Sequence, residues 1–277
     1  MDKEFWADLS KNDYQIPEGH ALEELTKTLF SYLGSTDPDS RDEIAYVVYA
    51  NWLKRDMFSL GEIENHINEL LANLEKGVGE TESDSVFLRA FSVLLLAEIV
   101  HNDNKKSLLE KEQIQRILER GLWYLEAEND PRGYIPVKGW AHALAHTADL
   151  MLVLGRNRYL EGNDLTRILQ GIANKIKQQN NYVYIHREDE RLANAVAEIL
   201  QRGVLDLEYV ESWAGGFLQP EKFTFDGTFK EDISRLYQNT RNLLRSVHIQ
   251  VFSRAEIRNK ENLQMLLLKA LQSLQQF

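Results

Sequence analysis

Apolar residues recur every three or four positions along almost the whole chain, and few residues interrupt this period. Only 5 prolines and 15 glycines occur among the 277 residues. A period near 3.6 residues places the apolar side chains on one face of an α-helix. The pattern therefore predicts an all-α chain of about eleven helices, at roughly 19–33, 41–55, 59–76, 84–101, 107–127, 139–155, 163–179, 188–202, 206–217, 229–253 and 255–275.

The segments between these helices are expected to be loops. Four polar stretches carry most of the turn-forming residues, at 35–40, 76–84, 128–139 and 218–229. The segment 180–186 alternates apolar and polar residues and is expected to form a short extended piece. The whole chain, 1–277, is predicted to be one helical-repeat domain in which residues 1–18 form an N-terminal arm.

Five of the predicted helices carry polar or aromatic residues at positions i, i+4 and i+7. Such a triplet lies within a band about 60° wide on one helix face. The triplets are Asp42/Tyr46/Tyr49, Ser85/Arg89/Ser92, His142/His146/Asp149, Arg187/Arg191/Asn194 and Arg241/Arg245/His248. The spacings from Tyr46 to Arg89 and from His146 to Arg191 match a two-helix repeat of about 40–47 residues. The two longer spacings run from Arg89 to His146 and from Arg191 to Arg245. The loops at 128–139 and 218–229 explain their extra length as insertions.

The helices between the striped ones differ in composition. They are rich in Lys, Glu and Gln on one side, as in a solvated outer layer, at 59–76, 107–127, 163–179 and 255–275. The striped helices are apolar around most of their circumference, as expected for an inner layer. The sequence predicts an α-α superhelix, a HEAT-like helical-repeat solenoid, that gathers the stripes on its concave face.

The segment GWAHALAHTADL (139–150) contains the most distinctive stripe. Its His142 and His146 could share a divalent metal ion, with Asp149 as an oxygen ligand. The segment lacks the glutamate of H-E-x-x-H, and a third ligand would have to come from elsewhere. The favoured interpretation has no metal: Asp149 holds one histidine tautomer, and the other ring nitrogen contacts a ligand or a backbone carbonyl.

Arginines on these largely apolar helices need an anionic partner, because a guanidinium does not lose its charge. The first interpretation is a salt bridge between repeats, for example Arg191 with Asp149 or Glu198. The second is an anion site on the concave face, where guanidinium groups such as those of Arg89 and Arg245 bind a carboxylate or a phosphate.

The insertion ENDPRGYIPVKGW directly precedes the histidine helix. Its Tyr134 and Trp140 are expected to form an aromatic and basic rim together with Arg132 and Lys138. Loops of this length in a compact domain are often functional. The predicted ligand-binding surface consists of His142, His146, Asp149, Arg89, Arg191, Trp140, Tyr134, Tyr46 and Arg245.

Charge and composition limit the partners. A net charge of −11 disfavours nucleic acid, and no run rich in Lys or Arg is present. No apolar run approaches the ~18 residues of a membrane span, and the N-terminus lacks the features of a secretory signal, so a cytoplasmic location without a membrane partner is expected. The chain has no cysteine. No phosphate-binding glycine motif or G-x-S-x-G elbow occurs, so no cofactor is expected.

Five segments resemble, in order, the successive blocks of an uncharacterised bacterial family, domain of unknown function 2785. The most specific block is R-G-Y-x-P-x-K-G-W-x-H-x-x-A-H-x-A-D, at 132–150. The looser blocks are RDEIAYVVYANWL (41–53), FLRAFSVLLLAEIV (87–100), EDERLANAV (188–196) and NLLRSVHIQV (242–251). The resemblance implies an α-helical, HEAT-like superhelix from a bacterium, and it implies no activity.

Two classes of function follow from the sequence. The first is a helical-repeat protein that binds a small molecule, a peptide or a protein on its concave face. The alternative is a metal-dependent hydrolase or lyase, with His142 and His146 as ligands and Asp149 or Glu188 as the base. Helical-repeat DNA repair would fit the shape but not the charge. Catalytic activity and oligomeric state stay open.

Overall fold

The structure is a computed structural model that describes residues 1–178, 181–218, 223 and 228–274. The described residues contain twelve α-helices and one π-helix. The first half holds α1 (Lys3–Lys11), α2 (Leu22–Tyr32), the π-helix (Asp39–Tyr46), α3 (Val47–Lys54), α4 (Leu60–Asn73), α5 (Ser85–Lys106) and α6 (Lys111–Ala127). The second half holds α7 (Ala143–Arg156), α8 (Gly162–Lys177), α9 (Glu188–Gln201), α10 (Leu207–Gly215), α11 (Glu231–Ser253) and α12 (Lys260–Leu274).

The prediction of an all-α chain is confirmed. Among the described residues, the one sheet is a hairpin of two short strands, β1 (Tyr134–Ile135) and β2 (Gly139–Trp140), in which Tyr134 lies opposite Trp140. Residues 181–186 form no strand. Residue 180 and most of the predicted loop 218–229 lie outside the described residues.

The helices pack in sequence order in two layers. The π-helix with α3, then α5, α7, α9 and α11 form the inner layer, in which each helix packs on the next. The even-numbered helices α4, α6, α8, α10 and α12 form the outer layer. This order is the one that the α-α superhelix requires, and the assignment of the repeats as HEAT-like stays a prediction.

The inner position of α5 explains its composition. By length and hydropathy this helix could cross a membrane, but 72% of the relevant window is buried within the protein. It packs on α3, α4 and α7. A helix covered on several sides needs apolar residues around most of its circumference, as in the core of a soluble protein.

Residues 1–18 contain a helix that belongs to the core. The side chains of Trp6 and Leu9 on α1 are buried. Trp6 packs against Trp52, with ring centroids 6.4 Å apart. The segment expected to be an arm therefore covers the first repeat.

The predicted helix 139–155 begins four residues later than expected, at Ala143. The backbone N–H of Ala141 donates to the carbonyl oxygen of Gly133 at 2.8 Å, and the N–H of His142 donates to that of Arg132 at 3.2 Å. His142 has a left-handed backbone, with φ of 52°. These residues close the hairpin, so His142 precedes the helix on which its stripe was placed.

The predicted helix 41–55 begins with the π-helix. A π-helix has i→i+5 hydrogen bonds, so residues spaced i, i+4 and i+7 do not share one face there. The Tyr46 hydroxyl donates to Glu98 Oε1 on α5 at 2.7 Å. Tyr49 instead is fully buried, and its hydroxyl lies 3.2 Å from Nδ1 of His66. The first stripe is therefore divided between two environments.

Candidate functional site

Three histidines meet where α7 and α9 begin, and we call His142, His146 and His186 the histidine cluster. The ring centroids of His142 and His146 are 5.8 Å apart, and those of His142 and His186 are 6.3 Å apart. Trp140 stacks on His142, with a centroid distance of 4.3 Å and an interplanar angle of 18°. The edge of Phe91 contacts His146 from α5. The rings form one packed aromatic group.

Backbone carbonyls fix the tautomers of the two buried histidines. Nε2 of His142 lies 3.0 Å from the carbonyl oxygen of His186, and Nδ1 of His146 lies 3.1 Å from that of Ala90. A carbonyl oxygen can only accept, so each of these nitrogens carries the proton. Nδ1 of His142 and Nε2 of His146 therefore keep their lone pairs. The backbone, and not Asp149, orients both rings.

Both histidines are neutral at neutral pH. Burial and the nearby charge of Arg191 lower the pKa of His142 to about 4. Burial and the neighbouring His142 lower the pKa of His146 well below its ordinary value. General acid–base catalysis works best when the pKa lies near the working pH. The two rings are thus suited to hydrogen bonding and packing, and poorly suited to proton transfer near pH 7.

The charge state of His142 is linked to folding stability. A histidine in an unfolded chain has a pKa of about 6.5. Because folding lowers the pKa of His142, the unfolded chain binds the proton more tightly. The contribution of this residue to stability is therefore complete above about pH 6.5 and is lost as the pH falls towards 4.

Nitrogen-15 NMR can test these protonation states directly. We expect both rings to be neutral at about pH 5.5, where an exposed histidine would be mostly protonated. The proton should reside on Nε2 of His142 and on Nδ1 of His146. The signals of His142 are identified because they disappear in the His142→Gln variant. A protonated ring at this pH, or the opposite tautomer, would contradict the geometry.

Among the residues that the structure describes, no third ligand joins His142 and His146 in the metal site considered from the sequence. Among the described residues, no group of three or more His, Asp or Glu side chains could hold a metal ion. Asp149 accepts a hydrogen bond from Nη1 of Arg191 instead. Glu188, the base considered for that alternative, accepts the backbone N–H of His186 at 2.8 Å through Oε2. The arrangement therefore offers isolated imidazole lone pairs rather than a coordination shell.

The predicted salt bridge between Arg191 and Asp149 is present and joins α9 to α7. Burial raises the pKa of Asp149 to about 6, although Arg191 acts in the opposite direction. Tyr46 and Glu98 form the equivalent link between the π-helix and α5. These two pairs therefore link neighbouring helices of the inner layer.

Arg89 lies in the interior rather than on the surface where the sequence analysis placed it. Its Nε donates to Glu128 Oε2 at 2.6 Å, and its Nη2 donates to Oε1 at 3.1 Å. Its Nη1 donates to the carbonyl oxygen of Lys76 at 3.0 Å and to Ser85 Oγ at 2.8 Å. The guanidinium is fully buried and satisfied within the protein. Arg245, in contrast, is exposed on α11.

Four large apolar side chains are exposed on and beside the hairpin, and we call them the hairpin patch. Their exposed fractions are 49% for Tyr134, 91% for Val137, 39% for Trp140 and 69% for Ile185. The edge of Tyr134 meets Trp140 at a centroid distance of 5.0 Å. His186, which follows Ile185, meets the same indole edge-on at 5.7 Å. The patch therefore adjoins the histidine cluster.

The hairpin is held at both ends. Nη2 of the fully buried Arg41 donates to the carbonyl oxygen of Lys138 at 2.8 Å. The ammonium of Lys138 pairs with Asp84 at 2.7 Å. At the other end, Nη2 of Arg132 donates to the carbonyl oxygen of Ser83 at 2.8 Å. The apolar tip is thus presented by an ordered and anchored segment.

Four cavities are found in the described structure, and one of them is lined by Glu128, which pairs with Arg89. They are found beside Lys175, beside His66, beside Arg116 and beside Asn12. None of the four is lined by a residue of the histidine cluster or of the hairpin patch. The residues predicted to bind a ligand therefore line none of these four cavities: Tyr134 and Trp140 are exposed, whereas Arg89, His142 and His146 are buried.

Comparison with known proteins gives one match. The model of a family described as a protein of unknown function (DUF2785) matches residues 74–249, which is more than half of the chain. The matched region includes the histidine cluster and the hairpin patch. No curated protein matches the sequence, and no solved structure matches it.

Proposed function

The chain belongs to the DUF2785 family of proteins of unknown function, and we propose that it is a cytoplasmic protein that binds a segment of another protein. The binding surface is the hairpin patch. One observation carries this proposal: three large apolar side chains are exposed on a hairpin that buried and charged contacts hold in place, and a fourth, Ile185, is exposed next to His186, whose ring meets Trp140. The histidine cluster supports the patch from below.

Within the described residues, these side chains are left open to solvent. Isolated exposed apolar residues are normal, but adjoining ones on an ordered segment are typical of interaction sites. Aromatic residues are also enriched where protein interfaces carry most of their binding energy. Trp140 and Tyr134 are therefore the expected anchors.

The openness of the patch favours a protein segment over a small molecule. Small-molecule sites are concave and bury most of the ligand surface. The exposed fractions of Val137 and Ile185 show instead a surface that is open to solvent. A chain segment can cover such a surface because it makes contacts along its length.

The charge of the protein indicates the chemistry of the partner. The net charge of −11 attracts a positively charged segment and accelerates its encounter. One face of the Trp140 indole is stacked on His142, and the side chain is still partly exposed. An arginine or lysine can contact an exposed indole through a cation–π interaction. The partner segment is therefore expected to combine apolar residues with Arg or Lys.

Peptide selection with the full chain tests the proposal. A displayed library of random peptides is selected on immobilised protein, and the affinity of an enriched peptide is measured by calorimetry. The Trp140→Ala variant is expected to bind that peptide at least about tenfold more weakly, because truncated anchor residues cost more than 1.4 kcal/mol. Because Trp140 also packs on His142, a thermal unfolding curve must show that the variant is folded at the assay temperature.

The Phe252→Ala variant is the matched control, because Phe252 is an exposed aromatic residue on α11. It should bind the selected peptide like the wild type. Equal affinity of the wild type and the Trp140→Ala variant would overturn the proposed surface. Enrichment of acidic rather than basic peptides would overturn the expected partner chemistry.

A further inference from the structure

A small cavity of about 40 Å³ lies beneath the loop that leads into the hairpin. Leu125, Leu144 and Tyr184 form apolar walls, and Asn129, Lys175 and Gln178 contribute polar groups. Since a single water molecule needs about 10–15 Å³ on this measure, the cavity has room for about three waters or for one small ion.

Lys175 is the unusual member of this lining, because only 7% of it is exposed. Its ammonium donates to the carbonyl oxygen of Glu128 and, at 3.0 Å, to Oε1 of Gln178. Both acceptors are neutral. No carboxylate within the described part of the chain forms an ion pair with it. An ammonium has three protons, so one donor remains for a group in the cavity.

The carboxylates nearest to this ammonium form their ion pairs with other cations. The carboxylate of Glu128 is held by Arg89, and that of Asp130 is held by Arg132. Glu128 and Glu126 therefore act on the Lys175 ammonium through longer-range attraction, and neither forms an ion pair with it. A buried charge without a partner is costly, and a counter-ion or solvent must recover part of that cost.

We propose that the cavity beside Lys175 binds a small monovalent anion, of the size of chloride, nitrate, formate or bicarbonate. The one ammonium donor that remains can hold one small anion. The carboxylates of Glu128 and Asp130 also line the cavity and disfavour a second negative charge. The site is separate from the hairpin patch, and it does not depend on the proposed function.

The protonation of Lys175 sets the pH range of this site. Burial lowers its pKa to about 8, while Glu128 and Glu126 act in the opposite direction. The ammonium form therefore predominates at pH 7. Above its pKa the cation is lost, and anion affinity is expected to fall by about tenfold for each pH unit.

Thermal unfolding of the full chain at constant ionic strength tests the proposal. Gluconate, which is too large for the cavity, is replaced stepwise by chloride, nitrate, formate or bicarbonate. The unfolding temperature of the wild type is expected to rise and saturate, because ligand binding to the native state stabilises it. Sulfate should give no saturable rise. The anion that acts at the lowest concentration identifies the preferred ligand.

The Lys175→Met variant is expected to lose the saturable response. The Lys269→Met variant, which removes an exposed lysine on α12, should keep it. An identical response in both variants would show a general salt effect and overturn the site. Bromide-soaked wild-type crystals give an independent readout if Lys175→Met does not fold. An anomalous peak beside Nζ of Lys175 is expected, and water alone in the cavity would contradict the proposal.

Discussion

Replacement of Glu128 by glutamine is expected to lower the free energy of unfolding by about 3–5 kcal/mol, because it leaves the buried charge of Arg89 without its counter-ion. Each carboxylate oxygen also accepts two donors. Oε2 accepts from Nε of Arg89 and from the hydroxyl of Tyr124, and Oε1 accepts from Nη2 of Arg89 and from the backbone N–H of Asp130. The amide group of a glutamine would place a donor against donors in either orientation.

Urea unfolding measures this loss, and a surface pair provides the control. Glu119 pairs with Arg167 at 2.6 Å, and both side chains are exposed. The Glu119→Gln variant should therefore lose no more than about 1 kcal/mol. Equal losses in the two variants would contradict the structural role assigned to the buried pair.

A double variant distinguishes the interaction between Arg89 and Glu128 from the cost of leaving one buried charge unpaired. In Arg89→Met/Glu128→Met neither buried charge remains, so its loss should be smaller than the sum of the two single losses. Additive losses would show that the two side chains stabilise the protein independently.

Replacement of Gly133 by alanine is expected to displace His186 and with it the support of the hairpin patch. An added Cβ would lie 2.3 Å from Nδ1 of His186 and 2.7 Å from its Cβ. Because the second contact is close to the backbone, rotation of the imidazole alone does not relieve the clash. Overpacking of this kind costs about 1–3 kcal/mol. The variant should also shift the NMR signal of the Trp140 indole N–H.

Gly61 provides the matched control for this substitution. It lies within α4, and an added Cβ would have no neighbour within 4 Å. The Gly61→Ala variant should leave stability unchanged or raise it by about 0.5–1 kcal/mol, since alanine is the better helix former. A Gly133→Ala variant with wild-type stability and an unchanged Trp140 signal would show that the approach of the loop to His186 is not tight.

The helical periodicity was sufficient to predict the fold class and the two layers. α8 illustrates why, because its apolar positions are buried and its exposed side is polar. This pattern depends only on which side of the helix faces the neighbouring layer. It can therefore be recognised in the sequence without knowing which helix packs there. The composition of α5 likewise reflected its inner position.

The hairpin could not be predicted in the same way. The residues from Gly139 to His146 continue the apolar spacing of α7 in the sequence. Hydrogen bonds from Ala141 and His142 to carbonyls of the preceding loop prevent the helix from starting there. These bonds depend on where the loop lies in the tertiary structure, and a helical pattern contains no information about it.

The roles of the arginines were also set by distant residues. Arg41, Arg89 and Arg191 all occur on predicted inner helices, and their local sequence patterns do not distinguish their roles. Arg191 pairs with Asp149, as predicted, whereas Arg89 pairs with Glu128, which lies 39 positions away in a loop region. The sequence pattern does not single out Arg41, whose guanidinium lies 4.2 Å from the ring centroid of Phe87. Burial of a charge is decided by tertiary contacts, so sequence reasoning could list candidates but not assign them.

Hydrogen–deuterium exchange of the full chain, with and without a selected basic peptide, is the most direct test of the hairpin patch as a binding surface. Binding there is expected to slow exchange at residues 133–142 and 181–191, which carry the patch and the histidine cluster. Exchange in α11 and α12 should stay unchanged. Protection confined to those terminal helices, with the hairpin unaffected by saturating peptide, would contradict the proposed function.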